Sequence, residues 1–217
     1  MEVKELAARY PTFFHMAERD AWPSIKENGL LSTSAVLDRY KVQGKQRDDL
    51  EEGHRPTKIR VGDAENGIVL RDQIPMPPSR LAGALVDGTT PAQWYKFLNG
   101  RVFMWAREER LLGLLRARHY RNLEHDVLTI DAAALLDDYR DKVWLCRMNS
   151  GNTWPMPHPR GMGDFKRIHD YPTKARSGAP AKEVVEVVVD YAVPDISKYV
   201  VQVRRMKGAE VLHDIPR

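Results

Sequence analysis

Punctuation restricts this chain more than any other feature. Prolines, glycines and capping residues set the ends of most of its elements and divide it into short helices and short strands. The best-marked element is the helix expected over 90–100: Thr90 caps it, Pro91 takes the first turn, an apolar stripe follows, and Asn99-Gly100 stops it. Other short helices are expected over 3–10, ended by Pro11, over 22–29, with Pro23 in the first turn and Gly29 as the stop, and over 35–40, capped by Ser34 or Thr33. Further helices are expected over 78–85, 108–120 and 132–139, the last capped by Asp131. Short apolar runs read as strands at 12–16, 67–72, 101–105, 126–130, 142–147, 183–190 and 199–205, and valine fills five positions of the 183–190 run. Residues 41–60 are polar and read as an exposed connection, and 41–100 as a whole reads as an insertion or variable region. A long loop is expected over 149–160. Short strands separated by short helices, without regular βαβ alternation, give an α+β class with a mixed sheet core in one domain.

With 217 residues the chain can bury a sizeable core without a disulfide or a metal. Its lone cysteine, Cys146, rules out a disulfide framework and sits in the apolar run Val143-Trp144-Leu145, as a core thiol would. The histidines show no paired ligand spacing, so no metal site is expected. There is no P-loop and no Gly-x-Gly-x-x-Gly fingerprint. The first ten residues are charged and helical in character rather than a signal peptide, and no run reaches the roughly 20 apolar residues of a membrane span. The expectation is a cytoplasmic protein with no membrane partner. The net charge of +4 is a mild excess, compatible with a nucleic-acid partner. Arginines crowd two segments, 101–121 and 160–176, although a charge run is most often a solvated face.

Three segments, in order, resemble the DarT branch of the ADP-ribosyltransferases. They are Phe14-His15-Met16-Ala17-Glu18 with the helix from Trp22 to Gly29-Leu30-Leu31; Val102-Phe103-Met104-Trp105-Ala106-Arg107; and Glu186-Val187-Val188-Val189-Asp190-Tyr191-Ala192-Val193-Pro194. Ala17 and Ala106 stand where that family often has threonine and proline. The resemblance implies an ADP-ribosyltransferase-like sheet, NAD as co-substrate, no metal, and transfer of ADP-ribose to a nucleobase of single-stranded DNA or RNA, in the manner of a toxin or phage-defence effector with an antitoxin partner. Transfer to protein, simple NAD hydrolysis, and a catalytically inactive nucleic-acid-binding module remain the competing readings.

The same resemblance assigns roles. Glu186 would supply the carboxylate that meets the positive charge developing as nicotinamide leaves, with Glu183 as rival; on a regular strand the two would point to opposite faces. Arg107 would bind the NAD pyrophosphate or activate the acceptor. His15 would hydrogen-bond the adenosine-side ribose or the nicotinamide-side backbone. Met16, Ala17, Gly29, Leu30, Ser32 and Tyr40 would complete the NAD site, although Ser32-Thr33-Ser34 also suits helix capping. Trp94 and Trp105 suit core packing at least as well as stacking. Asn152 and Trp154 in the Gly/Asn loop, with the basic Arg160 and Lys166, would touch nucleic acid; an ordinary turn has the same composition.

Overall fold

The computed structural model describes residues 1–217. Eight helices form: α1 Val3–Arg9, α2 Trp22–Asn28, α3 Thr33–Arg39, α4 Gly44–Glu51, α5 Pro78–Ala82, α6 Pro91–Asn99, α7 Glu108–Leu115 and α8 Ala132–Tyr139. The strands are β1 Thr12–Glu18, β2 Leu30–Leu31, β3 Ile59–Val61, β4 Ile68–Leu70, β5 Arg101–Trp105 and β6 Glu124–Asp131. They continue with β7 Val143–Cys146, β8 Phe165–Arg167, β9 Glu186–Asp190, β10 Ala192–Val193, β11 Val200–Lys207 and β12 Glu210–Asp214. None of the helices is long and apolar enough to cross a membrane.

The local signals act as their chemistry requires. In α6, Thr90 accepts from the Gln93 amide while the Gln93 side chain reaches back to the Thr90 backbone, a full capping box with Pro91 in the first turn. Asp131 caps α8. The cap of α3 is Ser32, which accepts from the Ala35 amide, so the helix starts at Thr33, ahead of the expected position. The polar stretch 41–60 is not a bare connection. It holds α4 and β3, and their Leu50 and Val61 join Val36, Leu37 and Leu70 in a small core of their own.

Eight strands form one sheet in the order β12-β11-β6-β1-β5-β9-β7-β8. The α+β class holds, but every pairing is antiparallel, where a mixed sheet was expected. Each neighbour is a return strand, and no crossover helix of βαβ type is used. The edge strands β8 and β12 lie outside the sequence expectations; β12 consists entirely of exposed residues and offers no apolar alternation to read.

One joint in this sheet is weak. Strands β1 and β6 pair along seven positions, and β5 and β9 along five, yet β1 and β5 meet only at Phe14 opposite Trp105. The sheet therefore splays between two halves. Opposed residues share a face. Phe13, Val102, Leu128, Val187 and Val189 face α1 and α8 in the main core. On the other face, Phe14, Met16 and Val127 lie beneath Leu111 and Leu115 of α7, while Cys146, Phe165 and Val188 lie beneath Leu81, Trp94 and Leu98 of α5 and α6. The second face has two separate covers, and the splayed joint runs between them.

Gly29 closes α2 at φ 85° and leads into β2, which pairs with β10. A Cβ there would stand 2.5 Å from the Pro194 Cα. Both the left-handed backbone and the backbone contact forbid a side chain. Gly29→Ala is expected to lower unfolding free energy by about 2–3 kcal/mol, read from urea denaturation midpoints.

Candidate active site

A cleft of about 1220 Å³ opens along the splayed joint. That exceeds the roughly 300–1,000 Å³ of sites for drug-sized molecules and suits a dinucleotide. Its walls come from the second half of β1, the α2–α3 connection, the flanks of β4, the cleft-facing side of α7, and Asn149–Asn152. A narrower recess of about 200 Å³ shares its lining at His15, Arg71 and Glu186, set among Met16, Phe103, Trp105, Leu114 and Tyr120. One base, one cation and one carboxylate thus meet in aromatic surroundings.

Glu186 is the first residue of β9, in the row Phe14–Trp105–Glu186–Cys146 across the sheet. It is 4% exposed. Its Oε1 accepts from the Ser150 amide at 3.1 Å, and its Oε2 is buried without a partner. Burial pushes its pKa up to about 7, against the pull of Ser150 and of the Arg160 guanidinium. An acceptor left unpaired in a cleft is costly unless a ligand's donor or positive charge completes it.

His15 lies where the β1–β5 ladder has failed, and its Nδ1 donates to the Phe103 carbonyl at 2.8 Å. Burial lowers its pKa to about 4, and the charge of Arg71 pushes the same way. At neutral pH the ring is uncharged. Its bond to a carbonyl places the proton on Nδ1, which leaves Nε2 as a lone-pair acceptor.

Arg71 follows β4 and stacks over the Tyr120 ring, 5.1 Å from its centroid; Tyr120 in turn donates to Asp72 at 2.7 Å. The Arg71 Nη1 is buried without a hydrogen-bond partner, and no carboxylate forms an ion pair with this residue. Arg55 lines the same wall. Its Nε donates to the Arg71 carbonyl at 3.2 Å, and its other nitrogens go to Leu50 O, Thr33 Oγ1 and Asn99 Oδ1, again without an acidic partner within 4 Å. This wall therefore carries more positive than negative charge.

The remaining expected residues divide. Met16, Ala17, Gly29, Leu30, Ser32 and Asn152 line the cleft, Ser32 being buried and spent on its cap. Arg107 does not: it is outside the lining, beside Tyr10 and paired with Glu183 at 3.4 Å, because it lies past the end of β5 as the N-cap of α7. Glu183 is held by Arg107 and Arg110 and precedes β9, so the strand-parity comparison with Glu186 does not apply to it. Tyr40 leaves the cleft and donates to the Asn66 carbonyl. Trp94 is core, whereas Trp105 lines the recess.

Arg160 is no nucleic-acid contact. It is 1% exposed and donates to the Ser150 carbonyl at 3.0 Å and the His158 carbonyl at 3.1 Å, pinning the loop that carries Ser150 to Glu186. Lys166 is exposed on edge strand β8, outside the cleft lining. Arg55 and Arg71 carried no motif: Arg55 lies in polar sequence, Arg71 at the end of the short apolar run 67–72, and only the fold turns them inward. No group of three or more His, Cys, Asp or Glu side chains is placed to hold a metal ion.

Residues 11–200 match a protein family described as a family of unknown function, DUF7002. No curated protein matches the chain.

Proposed function

The chain belongs to the DUF7002 family, and we propose that it is an NAD-dependent ADP-ribosyltransferase that modifies a nucleobase of DNA or RNA. The observation that carries this reading is the unpartnered Glu186 Oε2, buried in a dinucleotide-sized cleft beside a neutral histidine. Rupture of the bond between nicotinamide and ribose builds positive charge on the ribose; a fixed carboxylate in a poorly hydrated recess is the group that stabilises it. The nicotinamide nitrogen keeps the bonding electron pair as it leaves. An acceptor nitrogen then supplies the pair for the new bond to the ribose carbon and gives up its proton. Glu186, with a pKa near neutrality, can take that proton and pass it to solvent.

The other walls suit the rest of the molecule. His15 Nε2 accepts from a ribose hydroxyl, and Arg71, whose Nη1 has no protein partner, meets the diphosphate with the buried charge of Arg55 behind it. Arg71 thus takes the role that the sequence resemblance assigned to Arg107.

Incubation with labelled NAD and separate pools of single-stranded DNA, duplex DNA, RNA and lysate protein tests the reading. Label on a nucleic-acid pool is the expected result. Label on protein alone, free ADP-ribose alone, or no consumption of NAD in any pool overturns it. Catalysis needs ionised Glu186, so kcat/KM should rise tenfold per pH unit below about 7 and level off above it. A profile flat from pH 5.5 to 8.5 would contradict the role given to this carboxylate.

A further inference from the structure

Two residues beyond the cleft-lining Asn152, the loop after β7 presents an indole in an unusual setting. Trp154 is 55% exposed. The Arg80 guanidinium lies 3.7 Å from its ring centre and donates to the carbonyls on both sides of it, Thr153 O and Pro155 O, each at 2.8 Å. Asn152 clasps Trp154 as well: its Oδ1 accepts from the Trp154 amide and its Nδ2 donates to the Trp154 carbonyl, both at 3.0 Å. Thr153 is fully buried and tied by its amide and hydroxyl to Pro75 O. The backbone on both sides of the indole is thus tied down, a cation lies over the ring, and more than half of the residue is exposed. No carboxylate forms an ion pair with Arg80, so its charge is not neutralised locally. Four residues earlier, Ser150 holds Glu186, and Asn152 between them lines the cleft.

We infer that Arg80 and Trp154 form a stacking platform for a base of the acceptor strand, adjacent to the base that enters the cleft. This rests on the nucleobase reading above and adds to it a place where the strand is gripped. An exposed, pre-ordered aromatic ring is what an unpaired base stacks on, whatever its sequence, and an un-neutralised guanidinium beneath it suits a polyanion. Duplex DNA, whose bases are already stacked, gains nothing from such a ring. The occupant is therefore single-stranded nucleic acid.

The test uses the full chain with single-stranded oligonucleotides of about ten nucleotides and no NAD. Binding should quench tryptophan emission, because Trp154 is the exposed indole of the five. Trp154→Ala should weaken binding by about tenfold to a hundredfold and remove the quench, whereas Trp154→Phe keeps most of the affinity. Arg80→Gln should weaken it less. Equal affinity in parent and Trp154→Ala, no binding by the parent, or equal preference for duplex would each overturn the platform. NAD cleavage by the parent is measured separately. Cleavage without a Trp154-dependent strand sinks the platform alone; a Trp154-dependent strand without cleavage sinks the transferase reading alone.

Discussion

Glu186→Gln is expected to lose about a thousandfold in NAD-cleaving kcat/KM while becoming relatively more stable as pH rises. The two effects share one cause. Folding buries this carboxyl and lifts its pKa from 4.5 to about 7. The native protein thus retains a proton that the unfolded chain has already released. Stability from this group is complete below 4.5 and is lost as pH climbs through 7. An elevation of that size corresponds to about 3 kcal/mol. Glutamine does not ionise and escapes the loss, although its amide leaves a buried donor unpaired at every pH. The quantity to measure is the stability difference between variant and parent at pH 4.5 and pH 8; it should move by about 3 kcal/mol in the variant's favour. His15 and His125, both lowered to about 4 by burial, also make stability depend on pH: theirs is present above 6.5 and lost as pH falls towards 4. They occur in both proteins and cancel in the difference. A variant that is inactive and less stable at pH 8 than at pH 4.5, relative to the parent, would show that Glu186 is a structural residue whose charge the fold welcomes.

That opposition between activity and stability also shows what the sequence made legible. Elements announced by caps and stops were readable, because Thr90, Pro91, Asp131 and Gly29 act on their immediate neighbours. His15 and Glu186 were readable as candidates through the order of their motifs. The arrangement of strands was not. The cleft exists because β1 and β5, far apart in sequence, pair at a single position, and no local pattern encodes a ladder that stops. The arginines fail for a related reason. A guanidinium outside any motif reads as solvated, yet Arg160 is buried on backbone carbonyls, Arg55 is buried, and Arg71 lines the recess, while the motif-borne Arg107 is spent on Glu183. Burial of a long cation is decided by carbonyls and rings brought from distant segments, and these have no signature at the arginine itself.

Arg71 supplies the second large effect. Arg71→Gln is expected to raise the KM for NAD by about thirtyfold to a hundredfold with a much smaller change in kcat. On the proposed reading the guanidinium meets the diphosphate, which carries the same charge in the ground state and in the transition state, so its loss would remove binding common to both. Loss of one charge-assisted hydrogen bond of the usual strength, the glutamine amide keeping another donor, accounts for that range. Arg71→Lys should recover only part, since a single ammonium cannot match two oxygens. A structural role predicts otherwise. Arg71 has no acidic partner to strand, so the variant should keep its fold, and thermal unfolding checks this. The His15 ring is a second reporter. The Arg71 charge helps hold its pKa at about 4, behind burial as the larger cause. Titrated by NMR, His15 should therefore show a higher pKa in Arg71→Gln, still below the ordinary 6.5 because burial persists. Added ADP-ribose should shift the same resonance in the parent and barely in the variant, since the diphosphate would neutralise a charge that the variant lacks. Unchanged KM together with an unmoved His15 would mean that the positive wall of the cleft faces something other than a diphosphate.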